Sequence, residues 1–236
     1  MDLISFNNVT FSYNSKQESA LKNVSFKIKG GEKVALLGLN GAGKSTLMLL
    51  TNGLLLPSSG EIKVKEIATS SKQYKEIRKI VGLVFQNSDD QLFMPTVKED
   101  VAFGPRNMGL TEEEVDMRVA KALEITKIKD LAHKVPFELS GGQKKAASIA
   151  TVLSMEPELL IMDEPTSGLD YEARNNFISI IETLFSDREK EESNPSLLIS
   201  THDLELAHRL CERAIILNKG EIVYDGPINK APYPHS

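Results

Sequence analysis

The sequence predicts an α/β fold with a mixed, largely parallel sheet at its core, and three observations carry that prediction. Short apolar runs that fit buried strands recur along the chain, at Val34-Ala35-Leu36-Leu37, Leu159-Leu160-Ile161-Met162 and Leu197-Leu198-Ile199, each followed by a helical pattern. The first run leads into Gly38-Leu39-Asn40-Gly41-Ala42-Gly43-Lys44-Ser45-Thr46, which fits G-x-x-x-x-G-K-[ST] at every fixed position and continues into the helical stretch Leu47-Met48-Leu49-Leu50. From Asn87 to about Met155 the pattern changes to helical spacing, as an inserted helical segment would. In such an arrangement ligands gather at the carboxyl ends of the parallel strands.

Composition narrows the field. The 236 residues are 41% hydrophobic and 26% charged, enough for a sizeable core in one domain or one domain with an inserted lobe. No uninterrupted apolar run approaches the roughly 20 residues that span a bilayer, and Met1-Asp2-Leu3-Ile4-Ser5 has neither a basic start nor a signal-type apolar core. A cytosolic chain is expected, unless a partner carries it to a membrane. Cys211 is the single cysteine, which leaves no intrachain disulfide and no cysteine-rich zinc site and gives it a packing role. The formal net charge is −5 and basic residues form no stripe, so no nucleic-acid partner is expected.

Taken in order, Leu3, Ile4, Phe6, Val9 and Phe11 predict a first strand, and Leu21, Val24, Phe26 and Ile28 a second that alternates from Val24 onward. Gly30-Gly31 turns the chain into the loop-bearing strand. Tyr13 falls in the polar stretch Ser12-Tyr13-Asn14-Ser15, where a ring has no evident core to enter. After the loop helix, Pro57-Ser58-Ser59-Gly60 reads as a turn and Glu61 to Ile67 as one strand with imperfect alternation. Ile80 to Phe85 reads as a buried strand ending at Gln86. Thr111 is placed to cap a helix opened by Glu112-Glu113-Glu114, with Val115, Val119, Ala122, Leu123 and Ile125 at helical spacing. The charge run Asp187 to Pro195 reads as a solvated helix end and loop.

Four groups can carry chemistry. In the glycine loop, backbone N–H groups can close around an anion and the following helix points its positive end at the same place. Lys44 would reach the β and γ phosphates of a nucleotide, and Ser45 would hold Mg²⁺. Asp163-Glu164 sets two carboxylates at the end of a buried strand, where Asp163 suits the Mg²⁺ shell and Glu164 can polarise an attacking water. Leu139-Ser140-Gly141-Gly142-Gln143 opens a helix running through Ala146, Ile149, Ala150 and Leu153, whose N–H groups can bind an anion. Ser200-Thr201-His202-Asp203 follows an apolar strand, so His202 shares the carboxylates' sheet edge and could hydrogen-bond a γ phosphate and hold the water. Each has a plainer reading as a turn, a strand end, a capped helix or a structural histidine, and their co-occurrence outweighs it. For His133, His208 and His235 the structural reading stands.

On these residues the chain resembles the ATP-binding cassette (ABC) ATPases, nucleotide-binding subunits of transporters, over nearly its whole length. Tyr13 matches the aromatic that stacks on adenine, Gly38 to Thr46 the phosphate loop and Gln86 the Q-loop. Leu139 to Gln143 matches the signature, Leu159 to Glu164 the Walker B strand, Ser167-Gly168-Leu169-Asp170 the D-loop and His202 the switch histidine. The resemblance implies a P-loop NTPase ABC-cassette fold with an N-terminal antiparallel β subdomain and an inserted helical subdomain. It implies a single domain, 1–236, with a RecA-like core at about 1–86 and 156–236 and helices at about 87–155. ATP and Mg²⁺ are the implied cofactors, with Gln86 joining Ser45 and Asp163 around the metal. The implied partner is a second ATPase subunit, arranged so that Ser140, Gly141, Gly142 and Gln143 of one face the γ phosphate held by the other's loop.

A narrower similarity, carried by Val84 to Phe93 and Thr96 to Pro105, points to the energy-coupling-factor (ECF) branch of importers. It implies an integral membrane coupling protein and a substrate-binding membrane protein as partners. The location would be the cytoplasmic face of the membrane, with the coupling groove around Gln86 to Phe103. The sequence stops soon after Glu221 to Gly226, which favours the cobalt or nickel subgroup and a homodimer. A vitamin-type ECF importer or another ABC transporter stands as the alternative; a soluble ABC protein acting on ribosomes or DNA is disfavoured by the single set of motifs. One departure is evident. Relatives carry an arginine near 146 or 147 where this chain reads Lys144-Lys145-Ala146-Ala147, which would remove an ion pair of the signature helix.

Overall fold

Residues 2–14, 18–185 and 195–232 are described by the computed structural model. In chain order the strands are β1 (Asp2–Phe11), β2 (Leu21–Lys29), β3 (Lys33–Leu37), β4 (Ser59–Val64), β5 (Ile67–Ala68), β6 (Val81–Val84), β7 (Leu159–Asp163), β8 (Ser196–Ser200), β9 (Arg213–Asn218) and β10 (Glu221–Pro227). The helices are α1 (Lys44–Thr51), α2 (Tyr74–Ile80), α3 (Val97–Asn107), α4 (Glu112–Ile125), α5 (Gly141–Leu153), α6 (Tyr171–Phe185) and α7 (Leu204–Leu210). Contacts gather the chain into two compact units. One is Met1–Leu83 with Glu158–Asp163 and Pro195–Ser236; the other is Val84–Pro157 with Glu164–Asn194.

The first unit contains the antiparallel sheet β2-β1-β4-β5. Alternation decides its faces: in β2, Val24, Phe26 and Ile28 are buried and Ser25, Lys27 and Lys29 are exposed. Phe26 stacks on Phe6 of β1 at a centroid distance of 4.6 Å. Two local expectations change here. Glu61 to Ile67 is not one strand, because Lys65 adopts φ 53° and folds β4 and β5 into a short hairpin, and Ser59-Gly60 belong to β4 rather than to the turn. Ile80 ends α2, so the buried strand expected from it begins at Val81.

The second sheet has the order β10-β9-β3-β8-β7-β6. β3 runs parallel to β8 and β9, and β7 parallel to β8, while β10 returns antiparallel along the edge. Covered on both faces, β7 and β8 bury nearly every residue, whereas the edge strand β10 alternates exposed and half-buried positions. The register places Leu36 and Asp163 each opposite Ser200, so the carboxyl ends of β3, β8 and β7 finish level with one another. Cys211 is buried, and burial pushes its thiol up to about 12, which suits packing rather than reactivity.

The second unit holds α3 to α6. Thr111 caps α4 through a reciprocal box with Glu114, and Val115, Val119, Ala122 and Leu123 form its buried face. α3 packs on both α4 and α5, and the buried Ser154 hydroxyl donates to Val101 O at 2.7 Å. The charge run from 187 to 194 and His235 lie outside the described residues.

Candidate nucleotide site

The apolar strand β3 drives the chain to the sheet edge, and the loop that follows is shaped by close backbone approach. Gly38 has φ +146°, and a Cβ there would lie 2.3 Å from Leu217 O; at Gly43, with φ +105°, it would lie 2.6 Å from Ala20 O. Only glycine fits either place. The loop is braced on the β9–β10 turn, where Gly220 N–H donates to Ala42 O at 3.0 Å, and closed on itself by Ala42 N–H to Leu39 O at 3.1 Å. Gly43 is the N-cap of α1 and offers no side-chain cap, so the helix presents its first N–H groups to the loop. Lys44 is buried, and its ammonium donates to Gly38 O at 2.8 Å and Leu39 O at 3.3 Å, which holds the charge at the loop. Asn40, Gly41 and Ser45 are exposed and Ala42 and Thr46 are buried.

Tyr13 is exposed, its ring lying edge-on to Phe11 at 4.9 Å. Its hydroxyl is 3.0 Å from Thr46 Oγ1, which tethers the ring to the start of α1. Asp163 ends β7 and accepts a hydrogen bond from the Ser200 hydroxyl at the end of β8. His202 follows two residues later and is exposed. The turn that carries it is fixed by Asp203 N–H to Thr201 Oγ1 at 3.0 Å and by the Asp203 carboxylate capping α7. Gly38, Leu39, Asn40, Thr201, His202 and Leu204 share a cavity of about 330 Å³. The first unit therefore brings the loop, Tyr13, Asp163 and His202 to one sheet edge. Ser200 as a supporting group was not anticipated, since its bond to Asp163 joins two strands distant in sequence.

The other candidates belong to the second unit. Glu164 is buried and takes φ +42°, a left-handed conformation that is uncommon away from glycine and tends to mark functional turns. Ser167 N–H closes that turn on Glu164 O at 3.0 Å, and Asp170 Oδ1 accepts from Ala173 N–H at 2.8 Å to cap α6. At α5, Ser140 Oγ accepts from Gln143 N–H while Gln143 Oε1 accepts from Ser140 N–H, a complete capping box that fixes Ser140, Gly141 and Gly142 at the helix start. Beside them Ser140, Gln143, Ala146, Asp170 and Glu172 line a cavity of about 350 Å³. Ala146, one of the two positions near which the resemblance sets an arginine, lines that cavity with a small side chain.

Gln86 lies just beyond β6 and is exposed. Beyond it the rings of Phe93 and Phe103 meet edge to face at 4.9 Å and remain 64% and 44% exposed, an apolar pair that solvent does not favour. Asp100 was not singled out from the sequence, yet its Oδ1 accepts from the N–H groups of both Phe93 and Met94 at 3.0 Å and so ties the loop that carries Phe93 to α3, which carries Phe103. Burial pushes its carboxyl above the ordinary value, against the pull of those two hydrogen bonds.

Ser45 and Asp163 present hard oxygen donors, which fit Mg²⁺. Among the described residues no three His, Cys, Asp or Glu side chains converge, so phosphate oxygens would have to complete such a shell.

A glycine loop feeding a helix at the end of one parallel strand, with a carboxylate at the level end of a near neighbour, defines a phosphate-loop nucleotide-binding protein. The chain belongs to the ABC transporter family, whose profile matches residues 21–167. It is 47% identical over 210 residues to the energy-coupling factor transporter ATP-binding protein EcfA of Methanocaldococcus jannaschii, covering 88% of this chain and 73% of that one. Its fold is similar to that of cbiO1 from Clostridium perfringens, described as part of the ABC transporter complex cbiONQ, with TM-score 0.84, 37% identity and coverage of 97% and 90%. It is also similar to the dimeric, post-hydrolysis ATP-binding cassette MJ0796 bound to ADP and Pi, with TM-score 0.81, 29% identity and coverage of 95% and 98%. The protein is an ATPase of the ABC family, in which ATP hydrolysis powers transport and the ATPases dimerise and work with membrane components. No helix among the described residues is long and apolar enough to cross a membrane.

Proposed function

We propose that this ATPase powers import of a transition-metal ion, cobalt or nickel, through an ECF-type transporter by closing head to tail with a second copy of itself. The observation that carries the reading is the level edge of β3, β8 and β7, which gathers Lys44, Asp163 and the His202 turn and so offers a grip on a triphosphate from one side. A second anion-binding surface, the capped start of α5 at Ser140 to Gln143, belongs to the other unit and would face the γ phosphate held by a partner copy. The dimeric state of the MJ0796 cassette supports this arrangement. The membership of cbiO1 in cbiONQ, the likeness to EcfA and the exposed Phe93–Phe103 pair support a membrane coupling protein docking near Gln86, on the cytoplasmic face, with a substrate-binding membrane protein beside it.

In this mechanism Tyr13 stacks on adenine, the loop N–H groups from Asn40 to Thr46 cradle the phosphates and Lys44 spans the β and γ groups. Ser45, Asp163 and Gln86 would hold Mg²⁺, which when bound neutralises charge on the transferred phosphoryl group. Glu164 polarises the attacking water, and His202 holds that water and the γ phosphate. The D-loop residues Ser167 and Asp170 lie on the turn between Glu164 and α6.

Loss of the ring should be read in binding. Tyr13→Ala is expected to raise the half-saturating ATP concentration about tenfold with little change in kcat, since base stacking contributes about 1–3 kcal/mol. Tyr13→Phe should stay close to the native protein, because the ring persists and only the bond to Thr46 is lost. The transport reading is tested by mild-detergent extraction followed by uptake assays in vesicles. Recovery with a polytopic membrane protein and ATP-dependent uptake of Co²⁺ or Ni²⁺ are expected. Recovery only with ribosomes or nucleic acid would sink it, and uptake of a vitamin instead would reject the metal assignment.

A further inference from the structure

Lys145 lies in the second turn of α5 with 4% of its surface exposed. An ammonium taken out of water is costly unless its N–H groups are hydrogen-bonded. Its Nζ donates to the carbonyl oxygens of Gln86 at 2.7 Å and Phe85 at 3.1 Å, the two residues that follow β6. Both acceptors are main-chain atoms, so these bonds fix the course of the backbone at Gln86 whatever side chain stands there. Two neighbours brace the same segment. Lys144 Nζ reaches Asp89 Oδ1 at 2.6 Å. Gln91 works in both directions, accepting Phe85 N–H at 3.0 Å and donating to Ser148 O at 2.8 Å and Thr151 Oγ1 at 2.7 Å. Residues 85 to 91 are therefore bound to the signature helix by five side-chain to main-chain or side-chain to side-chain bonds that α5 itself supplies or receives, all within the second unit.

We propose that Lys145 is a positioning residue for Gln86: its buried ammonium ties the chain at Gln86 to the signature helix, so that both respond to nucleotide as one body. The proposal rests on the role assigned above to Gln86 at the bound nucleotide. Its physical content is the pair of carbonyls. Removing the ammonium leaves two acceptors that converge on one point without their common donor, and local opening of this segment becomes easier while the rest of α5 keeps its own helical bonds. A brace that merely stabilised the helix would loosen α5 and the segment together.

The test uses the full chain and three substitutions. Lys145→Met keeps the length of the side chain and drops the charge, Lys145→Arg keeps the charge, and Lys145→Gln is a shorter neutral donor that serves if the Met variant does not fold. Hydrogen–deuterium exchange of the nucleotide-free protein is read on peptides covering 84–92 and 141–153. Exchange over 84–92 is expected to rise about tenfold in Lys145→Met, with α5 changing less than about twofold and Lys145→Arg close to native. With ATP and Mg²⁺, kcat should fall about tenfold while half-saturating ATP stays within about twofold, and Lys145→Arg should restore most of the rate. Unchanged exchange over 84–92, an equal rise in both peptides, or faster exchange with native kcat would each overturn the proposal. Gln86→Ala, run in parallel, separates the two failures. If it leaves kcat intact, the role of Gln86 fails, while the exchange data still decide whether Lys145 holds the segment.

Discussion

Glu164→Gln is expected to abolish turnover while leaving ATP binding intact, so that a closed dimer accumulates when ATP and Mg²⁺ are added. The amide has the size and shape of the carboxyl, which matters because Glu164 is buried and sits at φ +42° in a turn closed by Ser167. What it lacks is basicity. A positioned general base contributes on the order of 10²–10⁴ to rate, so kcat should drop by about three orders of magnitude, roughly 4 kcal/mol in the barrier. Nucleotide affinity should stay within about twofold, because the groups proposed to grip the triphosphate, Lys44 and the loop N–H groups, are untouched. Single-turnover hydrolysis and size-exclusion chromatography with ATP read the two halves of the prediction. Native hydrolysis in the variant would reject Glu164 as the base.

Gly43→Ala should cost the fold about 2–6 kcal/mol and with it nucleotide binding. The added Cβ would lie 2.6 Å from Ala20 O and 2.8 Å from Leu21 Cδ2, at a backbone φ of +105°. The carbonyl is main chain and cannot swing aside. Ala20 leads directly into β2, where Lys22 N–H is bonded to Gly220 O at 2.8 Å. Overpacking of this kind costs about 1–3 kcal/mol, and a side chain forced into a left-handed region about 1–3 more. Gly41→Ala provides the contrast: φ is +79° but nothing lies within 4 Å of the new methyl, so only the conformational part, about 1 kcal/mol, should appear. Urea titration of the two variants separates steric from torsional cost. Equal losses would show that packing against Ala20 is not what requires glycine at position 43.

Much of the fold was legible from residues close together in the chain. Thr111 with Glu114 and Ser140 with Gln143 announce helix starts because a capping box closes over a single turn, and both boxes form. The apolar runs ending at Leu37, Asp163 and Ser200 give strands because a stretch buried on both faces needs no partner to be recognised. Local signals failed where a residue took a conformation that nothing nearby demanded. Lys65 at φ 53° breaks Glu61 to Ile67 into a hairpin, and α2 at Tyr74–Ile80 takes a residue from the expected strand.

By itself, then, the sequence determined the α/β class, the phosphate loop, and the strand ends at Leu37, Asp163 and Ser200, all properties fixed within a turn or a single strand. The tertiary structure alone decided the strand order β3-β8-β7 and the register that levels Leu36, Ser200 and Asp163. It also decided the bond from Tyr13 to Thr46 and the burial of Lys145 against Phe85 and Gln86. The reason is the same in each case. These pairings join residues far apart in the chain, and their geometry is set by how sheets and helices pack rather than by any preference that either residue carries alone.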